Sequence, residues 1–198
     1  MFAWINFTIL LFASLFFLYY YERSARPATL EKVLGPSAYA RCGRDRIIAS
    51  IFELIIVINY VIYYFYPLPT PLPEKFPWAW WISAVIAVVI CIPALTLMLI
   101  GVRDAGEEAM RPKKEHTMYG GIYARLRHPQ AVGEVFLWWV IAFLLHSPFL
   151  ALFSFIYIPI FMMTCFAEEQ DLLWRYGDNY VEYFKRTGAF FPKRNRAK

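Results

Sequence analysis

Long apolar runs alternate with short polar blocks along this chain, the first three being Phe2 to Tyr21, Ile47 to Tyr66 and Trp78 to Ile100. At about 1.5 Å per residue, about 20 helical residues cross a hydrocarbon core of roughly 30 Å, so each run predicts one crossing. Two further stretches, Ala131 to His146 and Phe149 to Ala167, flank His146-Ser147-Pro148 and read as a helical hairpin whose first arm is short. The predicted fold is therefore all-α, a polytopic integral membrane protein with five transmembrane helices. Pro93 and Pro159 each remove a backbone donor from an apolar run and predict kinks.

The polar blocks add detail. Between Arg23 and Arg46, Leu30, Val33 and Leu34 recur at helical spacing before Gly35-Pro36, which predicts a short helix lying at the membrane surface. The third and fourth runs are joined by a polar loop, Gly101 to His128, and the fifth passes into a second polar block, Glu168 to Tyr183. If Val135 to Ala167 crosses and returns, these two blocks meet on one face. His128-Pro129 marks the start of the fourth helix, because Pro disfavours a helical residue before it and suits the first helical position. Gly177-Asp178 reads as a helix stop followed by a new N-cap, leading into a short amphipathic helix that carries Tyr180, Tyr183 and Phe184.

Composition agrees with a membrane chain: of 198 residues, 60% are hydrophobic and 20% aromatic, far above a soluble domain of this length. The polar segments are too short for an independent domain, so residues 1–198 read as one. The net charge of +5 raises nucleic acid as a partner, but the basic residues are placed by topology. Six lie between Arg23 and Arg46, six between Arg103 and Arg127, and seven between Arg175 and Lys198, leaving only Lys75 in the loop from Pro67 to Pro77. The positive-inside rule makes the shared basic face cytoplasmic and the N-terminus external, in a multi-pass protein of the cell membrane with lipids as neighbours and no nucleic-acid partner. The first run, with no basic residue before it and no small-residue cleavage site after it, is expected to remain as a helix. Trp78, Trp80 and Trp81 with Tyr60, Tyr63, Tyr64 and Tyr66 are expected to form an outer aromatic belt. Cys42, Cys91 and Cys165 have no ligand spacing, and no metal site is expected.

Candidate chemistry gathers on the basic face. The unpaired N–H groups at the start of the fourth helix, Gln130 to Val132, suit an anion, and Arg125 and Arg127 arrive just before them; Glu134 in the first turn is the competing partner for the helix dipole. Glu168 and Glu169 end the fifth helix, where acid has the wrong sign for the dipole, and such a pair suits an amine or sulfonium-bearing ligand. Glu53 is a carboxyl inside the second apolar run, which requires a partner or a cavity; a basic side chain near the inner interface would serve as well as a functional role. No G-x-G-x-x-G, P-loop, G-x-S-x-G or H-E-x-x-H pattern is present, leaving soluble-type dinucleotide binding, NTP hydrolysis, serine hydrolysis and zinc proteolysis without support.

Gly121-Ile-Tyr-Ala-Arg-Leu-Arg-His-Pro-x-x-x-Gly133, then a hydrophobic hairpin, then Glu168-Glu169, Tyr176-Gly177, Tyr180, Tyr183 and Phe191-Pro192 resemble the isoprenylcysteine carboxyl methyltransferase family of integral membrane enzymes, in particular its small methanogen-type members. The resemblance covers about residues 101–192 and implies S-adenosylmethionine in a pocket formed by the loop before the fourth helix and the C-terminal segment, with residues 1–100 supplying three helices. By motif position it implies cofactor contacts from Glu108, Glu115, His116, Thr117, Met118, Tyr123, Arg125, His128, Pro129, Gln130, Ala131 and Glu168. The methyl acceptor would be lipophilic and enter from the bilayer. A carboxylate acceptor needs no base, whereas an amine or thiol must lose a proton, which makes Glu168, His128 and Glu53 the candidate catalytic groups. Two departures stand out: Ala131 where members often carry an aromatic residue, and Thr164 where the eukaryotic enzymes place an Arg one turn before the Glu. Both weigh against an isoprenylcysteine carboxylate as acceptor. Phospholipid or other amine N-methylation, an NADPH-dependent membrane reductase with a related C-terminal block, and a non-enzymatic lipid-binding scaffold are the alternatives.

Overall fold

A computed structural model describes residues 1–114 and 120–193. Eight α-helices occur among the described residues: α1 (Phe2–Ser24), α2 (Pro27–Leu34), α3 (Ser37–Phe65), α4 (Trp80–Ala105), α5 (Pro129–Leu144), α6 (Pro148–Phe153), α7 (Tyr157–Tyr176) and α8 (Asp178–Arg186). The described part contains no β-strand, as the all-α expectation required. Four helical stretches are long and apolar enough to cross a bilayer: Phe2–Ser24, Ser37–Phe65, Trp80–Ala109 and Pro148–Tyr176. The expected count of five is not reached on length, because α5 has 16 residues and extends about 24 Å, short of a core of roughly 30 Å. It packs along α4 over its length: Gly101 of α4 faces Gln130 at one end of the pair, and Ser83 Oγ lies 2.8 Å from His146 Nδ1 at the other.

Close approach of α4 and α5 depends on small residues. A Cβ on Gly133 would lie 2.4 Å from the carbonyl oxygen of Ala94, and one on Gly101 would lie 2.7 Å from Gln130 Cγ. In an apolar bundle, where lipid tails solvate side chains as well as other side chains do, such backbone contact is a main source of helix association. The second seam joins α3, α5, α6 and α7 through aromatic packing. Trp138 stacks on Tyr157 at 4.3 Å, and Tyr60, Phe153 and Tyr157 meet edge to face or tilted around them. Tyr157 OH lies 3.0 Å from Ser14 Oγ and Tyr60 OH 3.2 Å from Ser154 Oγ, so the buried hydroxyls are partnered.

Three sequence readings change. Tyr60 and Tyr63 are buried core residues and take no part in the aromatic belt, whereas Tyr64, Tyr66, Trp80 and Trp81 are exposed as expected. Pro159 lies in the first turn of α7, and the irregularity falls just upstream at Ser154–Ile156, where the helix tightens to a 3₁₀ turn. Gly177, with φ of 54°, is itself the N-cap of α8, one residue before the predicted position. The surface helix after Arg23 is found as α2, ending at Gly35 with Val33 and Leu34 exposed.

All three basic segments converge on one end of the bundle. Asp171 of α7 accepts from the backbone N–H groups of Ala28 and Thr29 at the start of α2 (3.1 and 2.7 Å), and Arg46 of α3 donates to the carbonyls of Glu108 and Ala109 (2.7 and 2.8 Å). The Pro-rich loop and the turn after α5 lie at the opposite end, where the Phe76 N–H donates to the His146 carbonyl at 3.4 Å.

Candidate active site

The site is built around the start of α5. His128 adopts a non-helical conformation (φ −125°, ψ 56°), and Pro129 opens the helix, so the chain turns sharply into the bundle. A pairing that the hydrophobic pattern gave no sign of fixes this turn. Leu126 bridges Gly188 in parallel register, the Arg127 N–H donates to the Gly188 carbonyl (2.8 Å), and the His128 N–H donates to the Ala189 carbonyl (3.1 Å). The segment after α8 thus folds back on the entry to α5.

Charged side chains close the arrangement. Arg127 Nε donates to Glu169 Oε1 at 2.7 Å, its NH1 group donates to the carbonyls of Phe184 (3.2 Å) and Thr187, and its guanidinium lies 4.0 Å over the Phe184 ring. His128 Nε2 is 2.9 Å from the same Glu169 oxygen, and His128 Nδ1 is 3.4 Å from Glu168 Oε2. Both ring nitrogens face carboxylates, which calls for a proton on each. Burial opposes the charged imidazole, but hydrogen bonds with Cys165, Glu168 and Glu169 outweigh it and hold the His128 pKa well above its ordinary value.

Beside this cluster lies a polar cavity whose walls include Arg46, Glu108, Tyr123, His128, Gln130 and Glu168. Glu108 is buried and held by Arg175 at 3.0 Å and by the Lys113 backbone N–H at 3.0 Å. Tyr123 OH accepts from Gln130 Nε2 (2.8 Å) and donates to the Gly101 carbonyl (3.2 Å), tying the loop before α5 to the end of α4. Burial raises the pKa of Tyr123 above its usual value, so this phenol stays protonated as a donor.

Of the residues singled out from the sequence, the fold brings Glu108, Tyr123, His128, Gln130, Ala131 and Glu168 around this one cavity. Pro129 is buried at the helix start outside the lining, and Arg125 is exposed and does not reach it. Glu115, His116, Thr117 and Met118 lie outside the described residues. Glu53 is not part of the lining; its carboxyl is hydrogen-bonded to Glu134 of α5, so neither the expected basic partner nor a dipole role for Glu134 is found. Two carboxyls that share a hydrogen bond hold at least one proton between them. Arg46, Tyr21 and Cys165 line the cavity but were not singled out as ligand contacts, and Glu169, read only as a member of the acidic pair, receives both Arg127 and His128. The expected helix end at Glu168 and Glu169 is not found, because α7 continues to Tyr176 and both acids lie inside it, so the dipole argument does not apply to them; Arg46 looked like any topological arginine.

A second, apolar groove abuts the first cavity, since Ala131 lines both. Its walls are Val135, Phe136 and Trp139 of α5, Phe161 and Met162 of α7 and Phe190 of the tail, and its volume is about 530 Å³.

The helical bundle thus holds a buried polar cluster at one end, with a polar cavity and an apolar groove side by side. The family model described as phospholipid methyltransferase matches residues 82–179, from the start of α4 to the start of α8, and places this region among the membrane methyltransferases, which bears out the resemblance read from the motifs. No curated protein and no solved structure matches the chain.

Proposed function

We propose that this protein transfers a methyl group from S-adenosylmethionine to a lipophilic acceptor held in the membrane, using residues 101–192 as the catalytic region. The observation that carries the reading is the contact between a cavity lined by ionic groups and an apolar groove at a single residue, Ala131. One compartment suits a charged, water-soluble cofactor and the other suits an alkyl chain of the acceptor.

The donor set fits such a cofactor. Free N–H groups at the first turn of α5 and the Arg46 guanidinium suit its carboxylate, while Glu108 and Glu168 suit an ammonium or ribose hydroxyls. When bound, the cofactor supplies a methyl carbon already activated by an attached sulfonium. The protein then has to orient the acceptor, exclude water and place negative charge near the positive centre. His128, held as an imidazolium by Glu168 and Glu169, acts as a fixed charge that sets the orientation of the two carboxylates rather than as a base. Ala131, where a larger residue would reach further, is the wall that the two compartments share.

The acceptor loses a proton if it is an amine, and the family description favours this over a carboxylate. The basic end is assigned to the cytoplasmic face of the cell membrane, where S-adenosylmethionine is made.

Calorimetric titration of the detergent-solubilised protein with S-adenosylhomocysteine, with NADPH as the parallel ligand, tests the assignment. Saturable binding of the first alone is expected, as is its loss in Glu168→Ala with helical content unchanged. Binding of NADPH alone would move the protein to the reductases, and normal binding by Glu168→Ala would displace the site.

A further inference from the structure

A separate groove lies on the outside of the basic end, between the start of α3 and the connector that follows α4. It has a volume of about 570 Å³ and is walled by Tyr39, Gly43, Arg44 and Ile47 on one side and by Met110 and Arg111 on the other. The arginines around it are nearly all committed. Arg23 and Arg41 pair with Asp45, Arg46 holds the Glu108 and Ala109 carbonyls, Arg103 pairs with Asp104, and Arg175 pairs with Glu108. Arg44 and Arg111 differ: among the described residues neither guanidinium has an ion pair or a hydrogen bond. Glu107, the acid that feels the charge of Arg111, is itself bonded to Lys113.

The groove floor is open. A Cβ at Gly43, one of the lining positions, would meet nothing within 4 Å. Running from the groove toward the membrane interior, Ile47, Ile51, Leu54 and Ile58 form a file of exposed side chains at helical spacing, about three turns long. Two unneutralised guanidiniums at the mouth of an apolar track match a single ligand chemistry, an anionic headgroup joined to an alkyl chain.

We propose that this groove is a specific site for an anionic phospholipid, with its phosphate between Arg44 and Arg111 and an acyl chain along Ile47, Ile51 and Leu54. The site is distinct from the methyl-acceptor groove, which opens between α5 and α7, and it does not depend on the reaction assigned above. Its consequence for the enzyme is mechanical: the connector that carries Arg111 also carries Glu108 into the polar cavity, so a lipid bridging the two arginines fastens that connector to α3.

Native mass spectrometry of delipidated protein, titrated in parallel with dioleoyl phosphatidylglycerol and dioleoyl phosphatidylcholine, tests this. The unaltered protein is expected to bind the anionic lipid in preference. Arg44→Gln combined with Arg111→Gln, at two exposed and unpaired positions, is expected to weaken phosphatidylglycerol binding about 30-fold, toward the phosphatidylcholine level. Lys185→Gln combined with Arg186→Gln removes the same charge elsewhere on this end and should leave the preference intact. Equal binding of the two lipids, an unchanged preference in the first variant, or an equal loss in the second would overturn the site. So would displacement of the lipid by millimolar inorganic phosphate, which would make it a site for a free anion.

Discussion

His128 shows how a single residue carries both architecture and charge. Its backbone N–H anchors the C-terminal tail through the Ala189 carbonyl, and its ring draws Glu168 and Glu169 into fixed positions. Because those bonds raise its pKa in the folded protein, the sign of its pH effect is set. The stabilisation is complete below the unfolded value of about 6.5 and is lost as pH rises through the higher folded value. Thermal unfolding in detergent should therefore show stability declining on the alkaline side, with that part of the decline missing from His128→Asn. A stabilisation that instead disappears on acidification from pH 8 to pH 6 would mean that the folded protein binds no extra proton here, with the ring neutral and both carboxylates ionised. Tyr183 supports the same corner from α8, donating to the Tyr123 carbonyl at 2.7 Å, and burial lifts its phenol to about 12, so this donor persists throughout the window.

Among the elements, legibility in the sequence followed period and punctuation. Four of the apolar runs announced their helices, and Gly35, Pro129 and Gly177 marked ends or starts to within a residue, because caps and φ restrictions are local. Contacts between distant segments were not legible. Nothing local in Leu126 or Gly188 signals that they pair, and Arg46 has the same sequence context as Arg44 although one holds two carbonyls and the other holds none. Tyr60 and Tyr64 looked alike at the end of one run; only packing against Trp138 and Tyr157 buries the first. The R-H-P-x-x-x-G motif placed a helix start at His128-Pro129, where α5 begins, and the structure adds what its glycine does. Gly133 lets α5 approach the backbone of α4, where an added Cβ would be 2.4 Å from a carbonyl oxygen that no rotamer can move. Gly133→Ala is therefore expected to destabilise the protein by about 1–3 kcal/mol, read as a lower unfolding temperature, because overpacking at a backbone contact forces the helices apart. An unchanged unfolding temperature would show that the α4–α5 seam is looser than the structure has it.

At the scale of the whole molecule, the placement of charge and the placement of chemistry coincide. Every described lysine and arginine except Lys75 belongs to the three segments that meet at the end holding Glu108, His128 and Glu168, and the connections between α2 and α7 and between α3 and the connector after α4 show that these segments share one end in space. The loop with Lys75 and the turn at His146 meet at the other end. Orientation is then a single binary choice, and by the positive-inside rule we propose that the polar cavity faces the cytoplasm. Cys42 and Cys165 are buried and Cys91 is half-buried within α4, so cysteines introduced at exposed loop or surface-helix positions should dominate labelling by a membrane-impermeant maleimide. In intact cells Lys75→Cys is expected to react and Lys185→Cys to remain unlabelled until the membrane is permeabilised. The reverse pattern would put the ionic cavity on the outside, away from any intracellular supply of S-adenosylmethionine, and would remove the proposed methyl transfer along with the orientation. Labelling of Lys185→Cys only after permeabilisation would instead fix the direction of traffic: a charged cofactor arrives from the cytoplasm beside α5, and an acceptor arrives sideways through the apolar groove that Ala131 joins to the cavity.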